Sequence, residues 1–379
     1  MPDVLIFGET VTSPSMRHEV PVSIGDDFVY VERNGTRLVA VASLETPRLR
    51  GNGLDVRAFE DFGYDDLLTQ GLNREQAVVE IALRACRETG VTSAAVPPDF
   101  PVSVADHLRA NGVELSPNSE LFIQRRRAKN AAEIAGIRRA QRGTEEAMGA
   151  ARDLLGRAEI RGDALVLEGE PLTSERIKAV IARVFTDNDL IADEFIVSHG
   201  TQTAVGHDGG SGAILANEPV VLDLFPRDRE SGCFSDMTRT FVVGEPSAEL
   251  REWHRLTEEA INRAFALVRP GANGREIHVD TCRFYEEHGY RTQLSKAPGT
   301  VLLEGFYHGL GHGVGLEVHE PPSLGMAGHR DMLVPGDVVT LEPGLYKPGV
   351  GGCRLEDIVL VTADGAENLT DFPYDLSVR

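Results

Sequence analysis

Acidic residues placed inside runs that otherwise read as buried strands constrain this chain more than any other feature. Asp223 lies in PVVLDLF, Asp236 opens DMTRTFVV, Glu342 lies near the end of DVVTLEPG and Glu356 lies in RLEDIVLV. A carboxylate in such a run is expensive to bury unless it is paired or holds a metal. Taken singly, each reads as an edge-strand or solvent-facing acid. The weight shifts because the same half of the chain carries a histidine cluster, His308, His312 and His319, within HGLGHGVGLEVHE. That run is too rich in glycine for a stable helix. In a regular strand His308 and His312 would share one face and His319 would lie on the other, so one shared site requires a bulge or bend.

Charge counting sharpens the reading. Four carboxylates converging on one pocket bring four negative charges, which two divalent cations cancel and one does not. An oxygen-rich donor set with one imidazole suits manganese, cobalt, iron or zinc. Two such ions can share a bridging hydroxide and polarise a carbonyl. Other signatures are absent from the sequence: no G-x-S-x-G, no H-E-x-x-H and no Walker loop, and the glycines at 309–315 do not form G-x-G-x-x-G.

A chain of 379 residues exceeds one ordinary core, so two domains are expected. Residues 1–124 read as a small α/β domain. Two apolar-rich runs flank Asn34-Gly35, a hairpin signal. Asn73 caps a helix carrying Ala77, Val78, Ile81, Ala82 and Ala85 at helical spacing. A short strand over 93–98 and a helix over 102–110 follow. Residues 125–379 read as an α+β domain with an antiparallel sheet. The basic run QRRRAKN (124–130) is expected to be a solvated helix start at the joint. A long helix fits 131–155, a loop or short insertion 156–171, and a helix capped by Ser174 fits 174–185. Two more helices fit 248–268 and 276–288.

The formal charge of −21 opposes binding to nucleic acid or to an anionic membrane surface. The N-terminal stretch lacks the basic and long apolar regions of a secretory signal, and apolar runs stay far below the roughly 18 residues that span a bilayer. The four scattered cysteines (Cys86, Cys233, Cys282, Cys353) read as free thiols in a reducing cytoplasm.

The block His308–Glu320 resembles the signature of the proline-specific branch of the pita-bread metallopeptidases, the Xaa-Pro aminopeptidase and prolidase family. Creatinase and methionine aminopeptidase are relatives on the same fold. The resemblance extends to IVSHGTQTAVGH (196–207), SDMTRTF (235–241), LEPG (341–344) and RLEDIVLVT (354–362). It implies a C-terminal pita-bread fold behind a smaller creatinase-like α/β domain. It implies five ligands, Asp223, Asp236, His312, Glu342 and Glu356, for two divalent metal ions, manganese first and cobalt, zinc or iron otherwise. His207, His308 and His319 match the family's catalytic histidines, Glu342 its proton carrier, and Arg354 a substrate-binding arginine. The implied reaction is hydrolysis of an Xaa-Pro bond, in dipeptides or at peptide N-termini, by a metal-bridging hydroxide. The implied assembly is a homodimer acting on peptides.

Two departures stand out. LFPRDRESGCFS between Asp223 and Asp236 lengthens a hairpin that is shorter in the family, and Asp208 follows His207 where another residue is commoner. The insertion at 297–304 is expected to shape the rim. A metal-free creatinase-like C–N hydrolase and a non-catalytic binding protein on the same fold are the rival readings. Both sit poorly with a complete set of ligand and histidine positions.

Overall fold

The computed structural model describes residues 2–51, 53–328 and 330–378. The chain divides into two units, Met1–Arg126 with Glu230–Gly232, and Arg127–Arg229 with Cys233–Arg379.

The first unit is built on a six-stranded sheet of β1 (Val4–Gly8), β2 (Phe28–Arg33), β3 (Thr36–Val41), β4 (Asp55–Ala58), β5 (Ser93–Val96) and β6 (Glu114–Pro117), in the order β4-β3-β2-β1-β5-β6. The β2–β3 hairpin turns on Asn34 and Gly35, with φ of 50° and 83°. Both values are positive, as the tightest hairpin turns require. The helix Arg74–Thr89 opens on a reciprocal cap, in which Asn73 Oδ1 accepts from the Gln76 N–H at 2.9 Å and Gln76 Oε1 accepts from the Asn73 N–H at 3.0 Å. Its Ala77, Ile81, Ala82 and Ala85 are fully buried in a core with Ile6, Tyr30 and Val39.

The second unit begins with a small sheet of β7 (Glu159–Arg161), β8 (Ala164–Leu167) and β9 (Glu170–Pro171), where a loop or short insertion is expected. Leu165 and Leu167 alternate inward and are buried, which gives this otherwise polar segment a face to fold on. The helices Ala131–Gly156 and Ser174–Asp187 pack together beside it. The second of these is capped by Thr173, whose Oγ1 accepts from the Arg176 N–H, and not by Ser174, which is buried as the first helical residue.

The strands that matter for function follow. β10 (Leu190–Ile191) pairs with β13 (Arg227–Asp228), inside the lengthened segment after Asp223. β11 (Ile196–His199), β12 (Val220–Leu224) and β14 (Met237–Phe241) form an antiparallel sheet with β12 central. β15 (Gly311–Gly313), β16 (Glu320–Leu324), β17 (Val338–Leu341), β20 (Asp357–Val361) and β21 (Ala366–Asn368) form a second, ordered β16-β15-β17-β20-β21. β18 (Gly344–Lys347) and β19 (Gly351–Arg354) make a hairpin between β17 and β20. The helices Ala248–Leu267 and Gly274–Glu287 cover a core of Trp253, Leu256, Leu310, Val339 and Leu341. The cysteines Cys86, Cys233, Cys282 and Cys353 are all buried free thiols. No helix among the described residues is long and apolar enough to cross a membrane.

The expectation of a solvated basic run at 124–130 is overturned. Arg125 pairs with Glu19 at 2.6 Å and also with Glu32. Arg127 makes a two-pronged bond to Asp337, Nε–Oδ1 2.8 Å and Nη2–Oδ2 2.6 Å, with side chains 5% and 0% exposed. Lys129 is buried against Glu320. Charge in this run is spent on internal acids far along the chain, which local patterning does not disclose. Breaking a buried pair leaves an uncompensated charge, so Arg127→Met is expected to destabilise the second unit by about 3–5 kcal/mol. Denaturant unfolding checks this, and a loss within about 0.5 kcal/mol, the scatter of surface substitutions, would contradict it.

Candidate active site

Strand register brings the acids together. Asp223, near the end of β12, lies opposite Thr238 of β14, and Asp236 directly precedes that strand. Leu341 of β17 pairs with Asp357 of β20, so Glu342 and Glu356 stand one step beyond that pair. His312 lies in β15, where the pairing with β16 slips between His312 and Gly313. The chain turns back over 314–319 into β16, and that turn brings His312 and His319 together, their rings edge-on with centroids 4.2 Å apart.

One ligand atom each from Asp236, His312 and Glu356 lies within 4.8 Å of the others. His312 Nε2 stands 3.8 Å from Asp236 Oδ2 and 3.5 Å from Glu342 Oε1. His312 Nδ1 donates to the Gly313 carbonyl at 3.1 Å, which leaves the Nε2 lone pair directed at the acids. Burial, then His319, lowers the His312 pKa to about 3, so the ring is neutral. Asp223 joins from the side of Arg354, whose Nη2 donates to Asp223 Oδ2 at 2.6 Å. Asp223 Oδ1 and Asp236 Oδ1 are buried with no hydrogen-bond partner among the described residues.

The electrostatics describe a site short of positive charge. Burial, together with Glu356, Asp223 and Glu342, pushes the Asp236 carboxyl well above the usual aspartate range. Burial, Glu342 and Asp223 do the same to Glu356. Glu342 is pushed up to about 8, by burial first, with Arg354 opposing and Asp223 adding to the rise. Orphaned buried oxygens, crowded carboxylates and a neutral imidazole make a donor set that fits a pair of divalent cations.

All five of these residues, with His207, His308, His319 and Arg354, line one cavity of about 1340 Å³. His308 Nδ1 donates to the Gly309 carbonyl at 2.7 Å, so Nε2 accepts from the Tyr346 hydroxyl at 2.9 Å. Burial and the Arg354 charge hold His308 neutral, with its pKa lowered to about 3. His319 is lowered by burial and by His207. Leu302 and Leu303, from the insertion at 297–304, line the same cavity. Asp208 is engaged locally, its Oδ1 accepting from the Gly210 N–H at 2.9 Å.

Arg354, which the resemblance assigns to substrate, lines the cavity and is also bonded to protein. Its side chain is 5% exposed, and it donates to Asp223, Thr238, Tyr346 and the Gly206 carbonyl. Two residues escape sequence reasoning. Tyr346 links Arg354 Nη1 to His308 Nε2 through its hydroxyl. Thr238 Oγ1 donates to Glu356 Oε2 at 2.7 Å. Thr238 had a signal, since two positions after Asp236 in a strand it shares that residue's face. Tyr346 had none.

Residues 135–363 match the description Metallopeptidase family M24. The chain belongs to that family. The probable dipeptidase PepE of Mycobacterium tuberculosis is 36% identical over 183 residues, 48% of this chain and 45% of that protein. The Xaa-Pro dipeptidase of Pyrococcus furiosus is 37% identical over 186 residues, 49% of each. The chain spans about half the length of the curated relatives it matches. In structure it resembles the Xaa-Pro dipeptidase from Bacillus anthracis, with a TM-score of 0.78 at 24% identity over 99% of this chain and 94% of that one. The prolidase from Pyrococcus furiosus gives 0.73 at 25% identity over 98% and 97%. The M24 chain thus has the α+β pita-bread fold expected from the sequence.

The raised carboxylate pKa values carry a sign. Glu342 titrates near 8 in the metal-free protein against 4.5 for an ordinary glutamate. A raised folded-state value gives stability that is complete below the unfolded pKa and is lost as pH rises through the folded one. Asp236 and Glu356 act in the same direction. The thermal midpoint of chelator-treated protein is therefore expected to fall from about pH 5 to about pH 9, and a divalent cation to reverse the fall. A midpoint that climbs across that window without metal would contradict this electrostatic picture.

Proposed function

We propose that the chain is a peptidase that hydrolyses Xaa-Pro bonds, in dipeptides or at peptide N-termini, with two divalent cations held by Asp223, Asp236, His312, Glu342 and Glu356. The observation that carries this reading is the convergence of Asp236, His312 and Glu356 within 4.8 Å, with unsatisfied buried oxygens on Asp223 and Asp236. Membership in metallopeptidase family M24 and relatives named Xaa-Pro dipeptidase and prolidase support it. The oxygen-rich donor set favours manganese, with cobalt, zinc or iron as substitutes.

When bound, the two cations supply Lewis acidity, polarising the scissile carbonyl and lowering the pKa of a water. The chain's own residues do the rest. Asp223 is held in place by Arg354, which Tyr346 and Thr238 orient in turn. Arg354 stays charged because Tyr346, Asp223 and Glu342 outweigh its burial. Glu342 Oε2 stands 3.8 Å from His308 Nδ1 on the cavity wall, where its carboxyl can take a proton and pass it to the leaving nitrogen. His319, cavity-lining and held neutral, can hydrogen-bond the reacting amide without adding charge, while His308, whose two ring nitrogens are engaged by the Gly309 carbonyl and the Tyr346 hydroxyl, would have to release Tyr346 to do the same. His207 lines the same wall. For an Xaa-Pro bond the leaving group is a secondary amine in a rigid ring, which these side chains must accommodate.

Asp236→Ala and Glu356→Ala are each expected to lower bound metal and abolish turnover of Xaa-Pro peptides together, with the first unit still folded. Elemental analysis beside a panel of Xaa-Pro and Xaa-Ala peptides checks this. Full activity in Asp236→Ala would exclude the assignment, and turnover that persists after complete metal removal would favour the metal-free C–N hydrolase instead.

A further inference from the structure

Lys129 immediately precedes Asn130, whose side chain caps the helix Ala131–Gly156. Its Nζ donates to Glu320 Oε1 at 2.6 Å, across 191 positions, and both side chains are 2% exposed. Glu320 directly follows His319 and opens β16. Its other oxygen, Oε2, is buried without a hydrogen-bond partner among the described residues, so the ion pair is its main anchor. Neither Lys129 nor Glu320 is among the residues lining the cavity.

The turn between His312 and His319 closes on this pair. A methyl group on Gly315 would stand 2.5 Å from Glu320 Oε1 and 2.7 Å from Lys129 Cε, so the turn packs directly against the ion pair and a side chain there would displace it. The Gly315 N–H donates to the Glu317 carbonyl at 3.1 Å, and the Gly315 carbonyl accepts from the Phe234 N–H at 2.7 Å. Phe234 lies two positions before Asp236. The preceding Val314 N–H donates to the Val338 carbonyl of β17, the strand that leads to Glu342. One buried ion pair therefore underlies a turn whose backbone is tied to the segments carrying Asp236, His312, His319 and Glu342.

We propose that Lys129 is a positioning residue of the active site, acting through Glu320 to fix the turn that sets His319 against His312. This rests on the peptidase reading of the site. A buried pair is a poor source of stability compared with apolar side chains of like size, but it demands one geometry. Losing either partner strands a charge in the interior, and an apolar pair removes that penalty without restoring the directional contact. Small displacements of groups that orient a substrate lower turnover steeply.

The test compares metal-loaded wild type with Lys129→Met, Glu320→Gln and the double variant Lys129→Met/Glu320→Met. Thermal midpoint, bound metal, and kcat and KM on an Xaa-Pro peptide are measured for each. The single variants are expected to lose about ten- to a hundredfold in kcat, with KM changed by less than about threefold. The double variant is expected to regain the wild-type thermal midpoint while kcat stays low. Recovery of kcat along with stability in the double variant would reduce the pair to packing and overturn the proposal, as would wild-type kcat in the single variants. A second readout needs no turnover: the His319 imidazole nitrogen resonances in zinc-loaded, histidine-labelled protein. Resonances displaced in the double variant support the proposal, and resonances that superimpose on wild type overturn it. A wild type that hydrolyses no Xaa-Pro peptide would sink the peptidase reading, and the resonances would still decide the role of Lys129.

Discussion

The mutual repulsion of four carboxylates crowded around one cavity, three of them buried, is the constraint on which the rest of this structure depends. Asp223, Asp236, Glu342 and Glu356 come from four chain segments, which strand register gathers into two pairs in two sheets, and the Glu356 N–H to Thr238 carbonyl bond joins the sheets. Nothing in a fold built only for stability calls for this. Apolar residues at the same positions would remove the desolvation penalty that lifts three of these groups above their ordinary pKa. The arrangement makes sense if positive charge arrives from outside the chain, which is what the donor chemistry accommodates.

The surroundings manage the same charge. Arg354 is the buried cation directly bonded to the group, and it is committed to Asp223 at 2.6 Å. Tyr346 takes a hydrogen bond from Arg354 and gives one to His308, so the state of the arginine and the tautomer of the histidine are tied. Thr238 fixes one oxygen of Glu356. His308 and His312 are both neutral by burial, which keeps one as an acceptor on the wall and leaves the other with a lone pair facing the acids. Each of these partners limits where a carboxylate can point, and so limits what the cavity can hold.

Much of this was legible in the sequence, for physical reasons that can be named. Local features announce themselves: Asn34-Gly35 demands positive φ, and Asn73 with Gln76 is a reciprocal cap within one turn. The acids were legible because a carboxylate among β-branched residues is costly wherever it occurs. The need for a bulge or bend between His312 and His319 followed from strand periodicity, and the chain turns there from β15 into β16. What stayed hidden depends on partners remote in the chain. Arg127 and Lys129 read as surface charge until Asp337 and Glu320 meet them, about two hundred positions later. The bond from Arg354 to Asp223, 131 positions earlier, was hidden in the same way, since nothing near Arg354 in the sequence reveals it. The small sheet at Glu159–Pro171 was hidden because its strands are only two to four residues long, too short for a periodicity to separate them from a loop.

The central claim is that these five side chains form one cage for two cations. Crystals grown with manganese and measured near its absorption edge test it most directly. The account predicts two anomalous peaks enclosed by Asp223, Asp236, His312, Glu342 and Glu356, close enough together to share carboxylates. A map with no peak there, or with its strongest peak elsewhere on the chain while these side chains point apart, would contradict it.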